Sequence, residues 1–375
     1  MANTGERRSQ LPLIVISVVA LAAIGALVWV LVGRPADTAE PTIAPTEEPS
    51  AEPSEEPTTE PYAEPPNAFA LTLAGDLVEL QPENGAVTRS IATSPLWQGS
   101  SLVISPDGAY AYVEAFDPTA ADGPEWPGEI QRVSLDPSEP EGSAQVETVV
   151  TSATSPAISP DGGSLAYLSI APGDPETVVR SLTVMDLATG TVTASVPDDQ
   201  CVECDRIVTS PTWMPDSSSL ILGLGWADGF PSTTLWDVDP SNPMLAAGRL
   251  VGPDNSGDVM ADWFGTTVFT ADGTLLVPAE EGTAAQWEAR AAYAFGDGPK
   301  QNQPTGLVAV VDVANGAVLS RIPVDGVVAS VAAEPAGTEV LVIVGYPDTD
   351  EVPALYRWDG SELIHIGDAF TAIAW

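Results

Sequence analysis

Short apolar runs alternate with polar turns along most of this chain. Ser101-Leu-Val-Ile leads into Ser105-Pro-Asp-Gly, and Tyr110-Ala-Tyr-Val follows. The same phrase returns at Ser159-Pro-Asp-Gly, Met214-Pro-Asp-Ser and Thr270-Ala-Asp-Gly. Behind these come Ser164-Leu-Ala-Tyr-Leu, Ser219-Leu-Ile-Leu and Thr274-Leu-Leu-Val. Pro presets φ for the second position of a type I turn, and Gly takes the positive φ that follows, so each phrase predicts a hairpin. The turn aspartates, Asp107, Asp161, Asp216 and Asp272, are 54, 55 and 56 residues apart. A fixed period of this size means one structural unit copied several times.

Each unit continues beyond its hairpin. A third run follows at Ile130–Leu135, Leu182–Leu187, Thr234–Val238 and Leu307–Val313. Tight turns such as Ala188-Thr-Gly190 and Ala314-Asn-Gly316 then lead to a fourth, at Thr191–Val196 or Ala317–Ile322. Four short strands per copy predict an all-β fold, a β-propeller. A β-sandwich also has short strands and frequent turns, but does not repeat one phrase in one slot. The first recognisable unit, from Ala68, begins at a second strand, whereas Phe370–Trp375 reads as a first strand with nothing after it. Five complete blades and one shared between the chain ends make six. Seven stays open if the long fifth repeat hides further strands.

The Pro-Asp-Gly blades resemble the TolB-type, WD-repeat-like propellers of bacterial envelopes. Val310-Val-Asp-Val-Ala-Asn-Gly-Ala-Val-Leu-Ser-Arg-Ile-Pro-Val324 is similar to the YVTN-type propeller repeat. The likeness covers most of residues 67–375 through generic structural motifs. It implies the fold and an interaction role, and no catalytic residue. The last full blade departs from it, with Glu334-Pro-Ala-Gly337 in place of Pro-Asp-Gly.

Residues 11–33 carry no charge, which is long enough to cross a ~30 Å hydrocarbon layer as a helix. A signal peptide has a shorter apolar core, about 7–15 residues. Arg7 and Arg8 precede the run and acidic residues follow it, so the positive-inside rule puts 1–10 in the cytoplasm and the rest outside the cell membrane. From Pro41 to Pro65 a proline stands at every fourth position, and all but Pro45 follow Glu. Such a segment has nothing to bury and favours an extended chain, so 34–66 reads as a disordered stalk reaching ~80 Å. The expected organisation is therefore a cytoplasmic tail (1–10), a single transmembrane helix (11–33), a stalk (34–66) and an extracytoplasmic propeller (67–375).

The formal charge of −41 argues against nucleic acid as a partner, since phosphate contacts need a basic surface. Lys300 is the only lysine beside eleven arginines, and with the Ala-rich composition the chain looks like a high-GC actinobacterial protein. Cys201 and Cys204 form one Cys-x-x-Cys, expected as a disulfide outside the membrane. A structural zinc would need two more ligands, and the one histidine, His365, alternates with Ile364 and Ile366 in a late strand. Neither a Gly-x-Ser-x-Gly elbow nor a phosphate loop is present, so no catalytic residue is assigned. Asp254-Asn-Ser-Gly-Asp258 and Asp348-Thr-Asp-Glu351 have oxygen ligands for Ca2+, but neither matches an EF-hand loop and both read as polar turns. No cofactor or metal is expected.

In a propeller the turns between strands one and two, and three and four, share one face. The connections between strands two and three, and between blades, share the other. The long insertions fall on that second face and carry Phe116, Trp126, Trp226, Phe230, Trp287, Tyr293, Phe295 and Tyr346 as candidate binding residues. The alternative for any of them is to fold back and cap a blade. Trp287, Ala291 and Phe295 stand at i, i+4 and i+8, predicting a short helix over 284–295. Trp97, Trp213, Trp263 and Trp375 read as structural packing. These features suggest a monomeric propeller that binds an envelope protein or glycan. A sensor or accessory subunit of a membrane complex is the first alternative, and a carboxylate- and metal-dependent hydrolase or lyase using the channel is the second.

Overall fold

The computed structural model describes residues 67–97, 101–116, 128–171, 179–197, 206–208, 210–226, 234–252, 259–263, 266–294, 304–335, 337–345 and 351–375. They form a six-bladed β-propeller. The first blade opens with β1 (Ala68–Thr72), β2 (Asp76–Leu80) and β3 (Val87–Thr93). The second holds β4 (Leu102–Ile104), β5 (Tyr110–Ala115), β6 (Glu129–Ser134) and β7 (Val146–Thr151), and the third β8 (Ala153–Ile158), β9 (Ser164–Ala171), β10 (Val179–Asp186) and β11 (Thr191–Pro197). In the fourth the inner strand comes in two pieces, β12 (Arg206–Val208) and β13 (Thr212–Trp213), beside β14 (Leu220–Trp226), β15 (Thr234–Val238) and β16 (Arg249–Gly252). The fifth is built likewise from β17 (Val259–Trp263), β18 (Val268–Phe269), β19 (Leu275–Thr283), β20 (Thr305–Asp312) and β21 (Ala317–Val324), with helix α1 (Ala284–Ala294) following β19. The sixth contains β22 (Val327–Ala333), β23 (Val340–Gly345), β24 (Ala354–Trp358) and β25 (Leu363–Asp368). The last strand, β26 (Phe370–Ala374), returns to the first blade.

That return closes the ring. Strand order in the first sheet is β26-β1-β2-β3, and β26 pairs antiparallel with β1, setting Phe69 opposite Ala374 and Leu71 opposite Ala372. The shared blade expected from the two chain ends is therefore present, and the count is six, not seven.

Packing follows the strand period of two, which sends alternate side chains to opposite faces of a blade. In β5, Ala111 and Val113 join a cluster with Leu71, Leu77 and Trp97 of the first blade. Tyr112, between them, joins Leu165 and Tyr167 of the third. In β9, Ala166 and Leu168 turn the other way, onto Trp213 and Leu222 of the fourth. Six such clusters occur, one at each interface between neighbouring blades. Hydrogen bonds add to them: Trp97 Nε1 donates to Gln131 Oε1 at 2.8 Å, and Trp213 Nε1 to the Ala157 carbonyl at 3.1 Å. Both indoles are buried and serve packing, as expected. The side chain of Trp263 lies outside the described residues.

No helix among the described residues is long and apolar enough to cross a membrane. The cytoplasmic tail, the expected span at 11–33 and the stalk lie outside the described residues.

Deleting Phe370–Trp375 removes β26 and with it Phe370 and Ile373, which are 5% and 3% exposed. Losing each such side chain costs about 2–5 kcal/mol, out of a total stability of roughly 5–15 kcal/mol. The truncated chain is expected to be insoluble, or to melt at least ~10 °C lower by circular dichroism. An unchanged midpoint would show that the ring does not depend on this strand.

Candidate functional site

The six inner strands surround a central channel of about 600 Å³. Its lining comes from β4, β8, β13, β18, β22 and β26 and the residues beside them. These strands are not regular. Register shifts interrupt β8 between Thr154 and Ala157, β22 between Val328 and Ser330, and β26 opposite Leu71 and Thr72. In the fourth and fifth blades the break is complete, between Val208 and Thr212 and between Trp263 and Val268. A bulge adds a residue to one strand, bends it and re-aims a side chain. Small residues occupy these positions and line the channel: Ser155, Ser210, Thr266, Ala329 and Thr371. Ser155 holds φ at +56°, a left-handed conformation that a non-glycine residue enters only under constraint.

Among the described residues one carboxylate reaches this lining. Glu114 stands near the end of β5, a second strand, and its side chain passes between the second and third blades. Glu114 Oε2 accepts from the Ser101 hydroxyl at 3.0 Å and from the backbone N–H of Ser155 at 3.1 Å. Burial raises its pKa above the ordinary glutamate value, and these two hydrogen bonds partly oppose the rise. Among the described residues the lining contains no Lys, Arg or His. No three Asp, Glu, His or Cys side chains converge anywhere among the described residues.

The Pro-Asp-Gly turns are chemically closed. Asp161 Oδ1 accepts from the Ser159 hydroxyl (2.5 Å) and the Gly163 N–H (2.9 Å). Asp272 Oδ1 accepts from the hydroxyls of Thr270 (2.6 Å) and Thr274 (2.8 Å) and from the Thr274 N–H (3.1 Å). Asp107 and Asp216 do the same for their own turns. Gly108, Gly162 and Gly273 supply the positive φ, and in the Pro-Asp-Ser variant Ser217 takes it at +59°. The aspartates that mark the repeat are thus consumed by the fold.

Five of the six connections from second to third strand are long, leaving the ends of β5, β9, β14, β19 and β23, whereas β1 passes to β2 through Leu73–Gly75. Helix α1 follows β19 as the spacing predicts. Gln286 Oε1 accepts the N–H of Thr283, the residue before the helix, at 2.8 Å, half of a capping box. Trp287 is 5% exposed and packs inward. Phe116 is half-buried, and its N–H bonds the Leu96 carbonyl at 2.9 Å. Trp126, Phe230, Phe295 and Tyr346 lie outside the described residues, as do Cys201, Cys204 and the 254–258 segment. Trp226 ends β14 and Tyr293 lies in α1, but their side chains are likewise outside them. His365 is exposed on β25 beside Asp368, with Nε2 2.8 Å from Oδ1.

Reasoning from the sequence missed Glu114 and the bulges. A signal existed: Ser101, Ser155, Ser210 and Thr266 each stand six residues before a turn aspartate, and Pro follows two of them. Proline inside a strand belongs at an edge or a bulge.

Comparison with solved structures agrees with the fold. TolB from Acinetobacter baumannii superposes with a TM-score of 0.53 at 15% identity, over 82% of this chain and 65% of TolB. The present chain thus spans just under two thirds of that protein. A chain of the nidogen/laminin complex superposes with a TM-score of 0.51 at 13% identity, covering 82% of this chain and 97% of its own. At such identities the likeness concerns architecture alone. No protein-family profile matches the chain, and no curated protein sequence matches it.

The turn aspartates give a pH signature. Hydroxyl and N–H donors hold the carboxyls of Asp161, Asp216 and Asp272 below their usual range. A depressed folded pKa contributes stability that is complete above the unfolded value of about 3.9 and is lost as pH falls through the folded value. Acid also relieves the self-repulsion of a strongly negative chain, which acts the other way. The informative quantity is therefore a difference. Between about pH 4 and pH 3, the parent chain should lose more thermal stability than the triple variant Asp161→Asn, Asp216→Asn, Asp272→Asn. Parallel acid limbs in a thermal melt series would show that these turns do not carry the effect.

Proposed function

We propose that this protein is a binding module of the cell envelope, held at the membrane by residues 11–33 and raised from it by 34–66. In this reading the propeller engages a protein or glycan through the face from which the second-to-third connections leave. The observation that carries the reading is the inequality of the two faces. On one, each Pro-Asp-Gly-type turn spends its aspartate on its own backbone and hydroxyls. On the other, five blades send out long connections from a rigid ring. Loops presented by such a scaffold are the usual carriers of recognition. Absence of a converging donor set among the described residues favours binding over metal-assisted catalysis.

Two experiments test it. Replacing Trp126, Phe230 and Tyr346 with Ala should weaken capture of a partner by the full chain from envelope fractions, with the fold intact by circular dichroism. Loss of such anchors costs ~2 kcal/mol or more each. The control variants Asp107→Asn, Asp161→Asn and Asp272→Asn should leave capture unchanged. Loss of capture in the controls alone would place recognition on the opposite face. For the anchor, protease added to intact spheroplasts should degrade the propeller. Protection until the membrane is broken would overturn the topology.

A further inference from the structure

Glu114 contributes a carboxyl group to a lining that, among the described residues, contains no cationic side chain. Its Oε2 is fully engaged by Ser101 and Ser155, while Oε1 takes no hydrogen bond from any described residue. The cavity of about 600 Å³ falls inside the range of small-molecule sites, roughly 300–1,000 Å³. Beside the hydroxyl residues, Trp213, Phe269 and Trp375 supply aromatic surface.

We propose that the channel is a binding site for a small organic cation bearing a primary ammonium group, with Glu114 Oε1 as its counter-ion. The proposal does not rest on the assignment of the partner-binding face, although Glu114 stands near the end of β5, where one connection of that face leaves.

The choice among cations follows from the geometry. A guanidinium pairs best with both oxygens of a carboxylate, and Oε2 is already committed. Calcium wants six to eight oxygen ligands, and the described residues bring no second carboxylate here. An ammonium group needs one strong acceptor and can share its remaining N–H donors with hydroxyls. Ser101 and Thr371 belong to the same lining. The aromatic residues suit an apolar remainder and add attraction for a cation. A chain of formal charge −41 also draws cations toward it.

The purely structural reading of Glu114 is that it ties two blades together. The test separates the two. Butylammonium, benzylammonium and phenethylammonium would be titrated calorimetrically into the full chain, each against its alcohol, 1-butanol, benzyl alcohol or 2-phenylethanol. At least one ammonium ion should bind saturably, about tenfold or more tighter than its alcohol, as a charge-assisted hydrogen bond requires. In Glu114→Gln the amide oxygen can still accept from Ser101 and Ser155. The melting temperature should therefore hold, while the preference for ammonium falls to within about twofold. If no ammonium ion outbinds its alcohol, or if Glu114→Gln binds as the parent does, the site is not what we propose. Should that variant fail to fold, the comparison of ammonium ion with alcohol on the parent chain decides alone.

Discussion

The pairing of β26 with β1 is the contact on which the remaining structure depends. A blade buries its two faces only against its neighbours, so an open array would expose one face at each end and leave a bare strand edge. Here the last strand of the chain becomes the inner strand of the first blade, and both problems vanish together. Phe370 and Ile373 then pack against Leu341 and Ile343 of the sixth blade, while Ala372 and Ala374 turn to the cluster shared with the second. One strand thus completes a sheet and two interfaces. Ser330 reinforces the join, its Oγ accepting the Ile373 N–H at 3.2 Å.

Closure has a consequence at the axis. Inner strands crowd toward the centre, where space is scarce. Regular strands would fill it with large side chains. The bulges relieve this by admitting an extra small residue, and they leave a channel lined by hydroxyls and short apolar groups. Polar links between neighbouring blades then run along its wall. Thr212 and Thr267 join hydroxyls at 2.7 Å across the fourth and fifth blades, and Glu114 spans the second and third. Five arginine–carboxylate pairs among the described residues lie outside the inner strands. Arg89, Arg132, Arg249, Arg321 and Arg357 pair with Glu79, Glu147, Asp237, Glu281 and Glu339. Arg249 also reaches the carbonyls of Val313 and Ala314 in the next blade.

Much of the architecture was legible because turns and strand alternation are local. Pro-Asp-Gly sets backbone angles within four residues, and a period of two needs only a short run to show. The shared blade could be read from the two ends because a first strand at Phe370 and a second strand at Ala68 are complementary. The channel was not legible for an equally physical reason. A bulge breaks the alternation that makes strands visible, so β12 and β13, or β17 and β18, read as weak or loop-like segments. Glu114 sits in a second strand among ordinary alternating residues, and only the ring places it beside Ser155, forty-one positions on. Trp287 shows the converse. Its i, i+4 spacing with Ala291 correctly predicts a helix, but spacing alone left open whether the indole caps the structure or meets a partner, and only the fold buries it.

The division of labour between the two kinds of acidic residue follows from their surroundings. Turn aspartates are exposed, and several donors hold their carboxyls in the charged form, so they are fixed parts of the frame. Glu114 lies in the opposite situation, where burial works against its charge and two donors on one oxygen offset only part of the cost. A buried carboxyl with an unengaged oxygen is stabilised either by a proton or by an external cation. The frame could have avoided that cost by placing a neutral residue there, as the equivalent step of the third blade does with Leu168, which packs against Trp213. At this step of the second blade the chain instead sets a carboxyl group in the channel wall.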